Sequence, residues 1–204
     1  ETKNVAWKTP VHGRGWSSPV VLGNQVWLTT ATRDGRELSV LAIDRDSGRV
    51  VHDVLLFKVD KPEDTARYNS FASPTPVIED GRVYVHFGSY GTAALDTKTG
   101  KTLWERRDLP GNHWRGPGSS PMLSGERLFV HFDGYDQQYA VALDKRTGRT
   151  LWKSVRPHDY GTDDGDMKKA YATPVVVEAA GRSQLISQAA KAVCSTPAFA
   201  TSTR

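Results

Sequence analysis

Four groups of residues in this chain could do chemistry. Asp163, Asp164 and Asp166 place three carboxylates within four positions, and Ca²⁺ is held by oxygen ligands of that kind. Their spacing departs from the alternating ligands of an EF-hand loop. The run reads as a solvated acidic turn, and these three residues stand only as weak metal candidates. His86 and His131 are a pair that a metal could share, but each follows an apolar β-rich run and each fits a side chain bonded within a sheet. Asp44, Asp96 and Asp144 would look catalytic in isolation. Each is followed four positions later by a glycine, Gly48, Gly100 and Gly148, which is the chemistry of a turn in which Asp caps backbone N–H groups. Cys194 is the single cysteine, so no intrachain disulfide exists and no neighbouring His marks it as a nucleophile. No catalytic residue is assigned.

The fourth group is a set of short clusters rich in aromatic, Arg, His and amide side chains. They are His12, Arg14 and Trp16; Tyr68, Asn69 and Phe71; Asn112, His113, Trp114 and Arg115; and Lys168, Lys169 and Tyr171. Further members are Arg33 and Asp34, Ser89 and Tyr90, and Asp133, Tyr135, Asp136 and Gln137. Their even distribution asks what brings them together.

The answer is a repeat. A small residue, Pro and two apolar residues open each copy, at Ser18-Pro19, Thr75-Pro76, Ser120-Pro121 and Thr173-Pro174. A short turn, a β-rich run, an Ala-x-Asp and a turn to Gly follow, and then in two copies Trp104 and Trp152. His52 occupies the Trp position of the first copy. The opening prolines stand 57, 45 and 53 residues apart, a spacing expected of propeller blades. Val83, Tyr84 and Val85 illustrate the β-branched and aromatic character of the runs. Gly23-Asn24, Asp80-Gly81 and Ser124-Gly125 have hairpin-turn chemistry. Each copy therefore predicts about four strands, and such sheets must be covered by neighbours.

The Ala-x-Asp-x-x-x-Gly-x-x-x-Trp signature, Ala94 to Trp104 and Ala142 to Trp152, with its Ser/Thr-Pro openings, resembles the PQQ-like β-propeller repeat. That superfamily includes quinoprotein alcohol dehydrogenases and the propeller lipoprotein of the β-barrel assembly machinery. The stretches Arg115 to Pro121 and His131 to Tyr139 resemble large bacterial PQQ-binding-like propeller proteins. The resemblance implies an all-β, partial propeller of about three and a half blades, not closed. Its remnant spans 1–11, its blades 12–60, 61–110 and 111–156, and an incomplete blade 157–193. Residues 5–8 match the outer strand of a preceding blade. The 194–204 tail has neither the Asp nor the Gly of the repeat, and is expected to be frameshifted, truncated or a disordered Ser/Thr/Ala-rich end. The missing initiator Met fits a removed leader or a chain that begins mid-gene.

The innermost strand of a propeller blade starts at one face, so the segments before each Pro converge on one mouth. Arg14, Trp16, Asn69, Phe71, Tyr90, His113, Trp114, Arg115, Asp133, Tyr135, Gln137, Lys169 and Tyr171 are the expected ligand-binding set, suited to a polar ligand with flat parts. The competing reading has Trp16, Phe71 and Trp114 plugging the channel and the Arg residues pairing with carboxylates. Asp44, Gly48, Asp96, Gly100, Trp104, Asp144, Gly148 and Trp152 are expected to be structural.

Composition narrows the function. The chain has 204 residues with 25% charged, 38% apolar and a net charge of +4. Its basic residues are scattered singly, without the clustering that nucleic-acid binding needs, and no apolar run could span a membrane. The resemblance implies a non-catalytic scaffold for protein or ligand binding, part of a longer exported protein and without a cofactor. The alternative is part of a PQQ-dependent dehydrogenase with PQQ and Ca²⁺. One cysteine rules out the vicinal Cys pair that many such enzymes carry. Open sheet edges are expected to pair with completing blades, another protein or a second copy.

Overall fold

The computed structural model describes residues 3–156 and 158–199. Among these, the alternating apolar runs form fifteen strands in four antiparallel sheets. Blade I holds β1 (Val20–Leu22), β2 (Gln25–Ala31), β3 (Glu37–Asp44) and β4 (Val50–Lys58). Blade II holds β5 (Val77–Glu79), β6 (Arg82–His86), β7 (Thr92–Asp96) and β8 (Thr102–Arg106). Blade III holds β9 (Met122–Ser124), β10 (Arg127–Asp133), β11 (Gln138–Asp144) and β12 (Thr150–Val155). Blade IV holds β13 (Val175–Ala179), β14 (Arg182–Gln188) and β15 (Val193–Pro197). Strands follow chain order within each sheet. The result is an open, partial propeller.

The Ala-x-Asp signature has a packing reason. Cross-strand neighbours place a large ring on the second strand, Ala on the third and a ring on the fourth, all on one face: Trp27–Ala42–His52, Tyr84–Ala94–Trp104 and Phe129–Ala142–Trp152. Only a small residue lets the two rings meet above it. Their centroids lie 5.7, 6.2 and 5.9 Å apart, within the range of favourable aromatic pairs. A β-bulge follows the Ala in each blade and tightens the local twist before the turn. There the Asp carboxylate takes over: Asp96 accepts from the Lys98 and Thr99 amides and the Thr99 hydroxyl. Asp44 and Asp144 repeat the arrangement.

Blades are joined by two recurring devices. The fourth-strand ring of one blade lies on the Asp-to-Gly turn of the next. The Trp104 indole donates to the Lys145 carbonyl at 2.9 Å, and its ring sits where a Cβ on Gly148 would fall, 2.6 Å from ring carbon. Trp7 does the same on Arg45 and Gly48, and His52 covers Gly100. The second device explains the small residue before each Pro. The Ser18 amide donates to the Thr75 hydroxyl, the Thr75 amide to Ser120, and the Ser120 amide to Thr173, at 3.0, 2.9 and 3.2 Å. Between these devices lie the cores. Trp27, Leu38, Val40 and Phe57 meet Val83, Val85 and Leu95 at the first seam, and Tyr84 and Trp104 meet Leu128, Val130 and Leu143 at the second.

Two sequence expectations need amendment. Residues 5–8 form no strand and belong to no sheet, because among the described residues no third strand lies beside them. The expected irregular tail contains β15, which pairs with β14 from Gln184↔Pro197 to Gln188↔Val193. Backbone pairing carries this strand without the repeat's side chains, and Pro197 takes the register position of Asp144. Residues 200–204, the rest of that tail, lie outside the described residues.

Candidate functional site

The antiparallel order puts the segments before β1, β5, β9 and β13 on the same face as the β2–β3, β6–β7 and β10–β11 connections. The residues singled out from the sequence therefore share one rim, but they divide into two populations. Phe71, His113 and Asp133 are buried. Phe71 packs on Gly35 and against Tyr90, and His113 accepts from the Ser89 amide through Nε2 at 3.0 Å. Burial holds the His113 imidazole neutral, down to about 3. Asp133 is sealed beneath Arg156, whose guanidinium abuts its carboxylate. Asn69 clamps the Arg115 and Pro117 carbonyls with its amide, and the Tyr90 hydroxyl accepts from the Glu63 amide. These five shape the rim from below.

The second population faces outward. Trp114 and Tyr135 are both about two-fifths exposed, 39% and 42%, and meet edge to face at 5.7 Å. Arg115 lies over the Trp114 ring at 4.4 Å while its Nε and Nη2 each donate to Asp166 at 2.8 Å. Such a bidentate pair fixes the guanidinium plane and raises the Arg115 pKa through the Asp166 hydrogen bond. Tyr171 and Tyr68 are also exposed. Arg14 reaches the Arg67 carbonyl and stacks on Trp16 at the far end of the rim. Gln137 is partly buried in the β10–β11 turn, where its carbonyl accepts from the Gly134 amide.

Trp114 is held in an unusual backbone state. Its φ of 44° lies in the left-handed region that bulky residues rarely adopt. Glu63 Oε2 accepts from both the His113 and Trp114 amides, at 2.8 and 3.2 Å, and Asn112 Oδ1 accepts from the Trp114 amide at 2.9 Å. The half-buried Glu63 carboxyl is pushed up by burial against the pull of these amides. Glu63 and Arg156 were not among the sequence-derived site residues, and Asp136 was named in its cluster but not in the expected ligand-binding set. Each acts through a partner distant in sequence, and no local pattern marks it. Asp136 holds the Asn112 amide at 2.7 Å. A groove of about 270 Å³ opens between Asn112, Trp114, Tyr135 and Asp164.

Lys169 lies beneath this rim, buried, and its ammonium has no hydrogen-bond partner among the described residues. Burial lowers its pKa to about 8, against the opposing fields of Glu63, Asp166 and Asp136. The acidic run offers little to a cation. Asp166 is engaged by Arg115, Asp164 caps the 3₁₀ turn at Gly165–Lys168, and Tyr135 lies directly on Gly165.

No curated protein matches the chain in sequence. Among solved structures, BamB from Moraxella catarrhalis superposes with a TM-score of 0.61 at 20% identity, over 89% of this chain and 51% of that one. A europium-containing methanol dehydrogenase superposes at 0.60 and 17% identity, over 78% of this chain and 28% of that one. A computationally designed protein, Ika4, superposes at 0.53 and 15% identity, over 92% of this chain and 93% of that one. The chain thus spans about half or less of the two natural structures, and the likeness shows a shared fold. A family model described as outer membrane protein assembly factor BamB matches residues 59–202, most of the chain, and together with the repeat and the blade geometry it establishes that this chain belongs to that PQQ-like propeller family.

Proposed function

We propose that this chain is a non-catalytic propeller scaffold that binds a protein partner through the rim of Trp114, Arg115, Tyr135 and Tyr171. The observation that carries this reading is Trp114 itself. A large aromatic is kept partly exposed by a backbone state costing about 1–3 kcal/mol, and Glu63 and Asn112 hold that state in place. Rigid exposed Trp, Tyr and Arg side chains are the residues that dominate protein interfaces. The family description, an outer membrane assembly factor, supports a protein partner and an exported location as parts of the same proposal.

The similarity to a methanol dehydrogenase keeps a quinoprotein reading in view. PQQ chemistry in this chain would need free carboxylate and amide ligands for its cation. The acidic run does not fit that need, because Asp166 and Asp164 already serve Arg115 and a turn.

The test places a photo-crosslinking amino acid at Trp114 and, separately, at Lys98 on the opposite face, in the producing cell. A discrete adduct at 114 that disappears with Arg115→Ala and is missing at 98 supports the proposal. Equal labelling at both positions contradicts it. A quinone absorbance band with dye-linked alcohol oxidation, after loading with PQQ and Ca²⁺, would favour the enzyme.

A further inference from the structure

Arg115 shows how this rim holds a cation. Its guanidinium lies over the Trp114 ring at 4.4 Å, and its Nε and Nη2 both donate to the Asp166 carboxylate. A ring face and a carboxylate share one planar cation. The groove of about 270 Å³ is made of the same two parts: it is lined by Trp114 and Tyr135, which meet edge to face, and by Asn112 and Asp164. Among the described residues, no Lys or Arg lines it.

Its walls are fixed in advance. Glu63 and Asn112 hold the Trp114 amide, while the Tyr135 ring rests on Gly165 and the Tyr135 amide donates to the Asn112 carbonyl at 2.6 Å. Asp164 spends one carboxylate oxygen on its turn, where Oδ1 accepts from the Asp166 amide at 3.0 Å. Among the described residues, its Oδ2 makes no hydrogen bond. Asp163 and Asp164 are exposed, and among the described residues neither meets a Lys or Arg within ion-pair distance. Arg115 is committed to Asp166. The buried Lys169 lies in the opposing fields of Glu63, Asp166 and Asp136, so its charge does not offset the two exposed carboxylates. The opening is acidic and aromatic on a chain whose net charge is +4.

We propose that this groove is the subsite for one arginine side chain of the protein that docks on the rim, an assignment that rests on the reading of the rim as a protein-binding surface. Its volume falls below the roughly 300–1,000 Å³ of small-molecule pockets, which suits a single side chain. A guanidinium is flat enough to lie against an aromatic ring and carries a fork of donors that matches a carboxylate, whereas an ammonium has neither the plane nor the fork. Seated between the rings and Asp164, the partner's guanidinium repeats the arrangement that Arg115 already makes with Trp114 and Asp166.

The test titrates the full chain with a capped Gly-Arg-Gly peptide and follows the Trp114 indole N–H by NMR, assigned by its loss in Trp114→Phe. The signal should shift saturably with the arginine peptide and stay in place with the citrulline counterpart, which keeps the shape without the charge. Asp164→Asn keeps the oxygen that caps the turn and should weaken binding by about tenfold. Asp163→Asn removes the same charge from outside the groove and should weaken it by less than about twofold. Equal responses to the two peptides, equal losses in the two Asn variants, or no shift at peptide concentrations on the order of 10 mM would each overturn the proposal. The two readings fail separately: equal crosslinking at 114 and 98 removes the docking rim, whereas a discrete adduct at 114 with no arginine response removes this subsite alone.

Discussion

Replacing Gly148 with Ala tests whether the blades are locked by rings seated on glycine turns. Gly148 has φ +72°, and a Cβ there would stand 2.6 Å from the Trp104 ring. Two costs should add. A non-glycine residue in the left-handed region costs roughly 1–2 kcal/mol, and forcing apart a packed contact costs about 1–3 kcal/mol. Gly81 separates them, because its φ is +77° but nothing lies within 4 Å of an added Cβ. Gly81→Ala should therefore cost only the first amount, and Gly148→Ala roughly 2–5 kcal/mol in total. The excess belongs to Trp104. In a Trp104→Ala background, itself destabilised by about 3–5 kcal/mol, Gly148→Ala should fall back to the cost of Gly81→Ala. Urea unfolding of the set, read by circular dichroism with m-values compared, measures the cycle. Equal costs at 81 and 148, or an excess that survives without Trp104, would refute the seam as the source.

Two further predictions follow from the same geometry. Thr75→Val removes the hydroxyl that accepts from the Ser18 amide while keeping the side-chain shape. It should cost about 1 kcal/mol and speed hydrogen exchange at Ser18, while unchanged protection there would contradict the link. His86, His113 and His131 are buried and held neutral by desolvation, each lowered from 6.5 to about 3. A folded pKa below the unfolded one means stability is full above about pH 6.5 and is lost as pH falls toward 3. Each histidine should contribute a slope of about 1.4 kcal/mol per pH unit in that window. His86→Gln should flatten the measured slope by roughly a third, and an unchanged slope between pH 6 and 4 would contradict it.

Much of the blade was legible in the sequence because its causes are local. Asp96 and Gly100 write their own turn, and alternation in Val83, Tyr84 and Val85 writes a strand. The placement of the lead-in segments on one rim also followed, since antiparallel strands fix which ends share a face. The state of each rim residue did not follow. Phe71 and Trp114 are both aromatics in lead-in segments, yet one is buried against Gly35 and Tyr90 and the other stands in solvent. Asp133 and Asp166 are both carboxylates near the mouth, and only their distant Arg partners decide that one is sealed and the other rim-exposed. Glu63 had no signature, because its role is to hold amides about 50 residues away.

By itself, then, the sequence determined the repeat, the blade and the side of the molecule on which the candidate site lies. Those properties depend on turn chemistry and on residue periodicity along the strand. Tertiary structure alone decided that the tryptophans lock one blade to the next and that Trp114 stands outward under strain. It also decided that Val193–Pro197 becomes a strand although the repeat's Asp and Gly are missing there. The physical reason is the same in each case: hydrogen bonds and buried contacts are completed by groups from another blade, and a chain read in order cannot say which groups those will be.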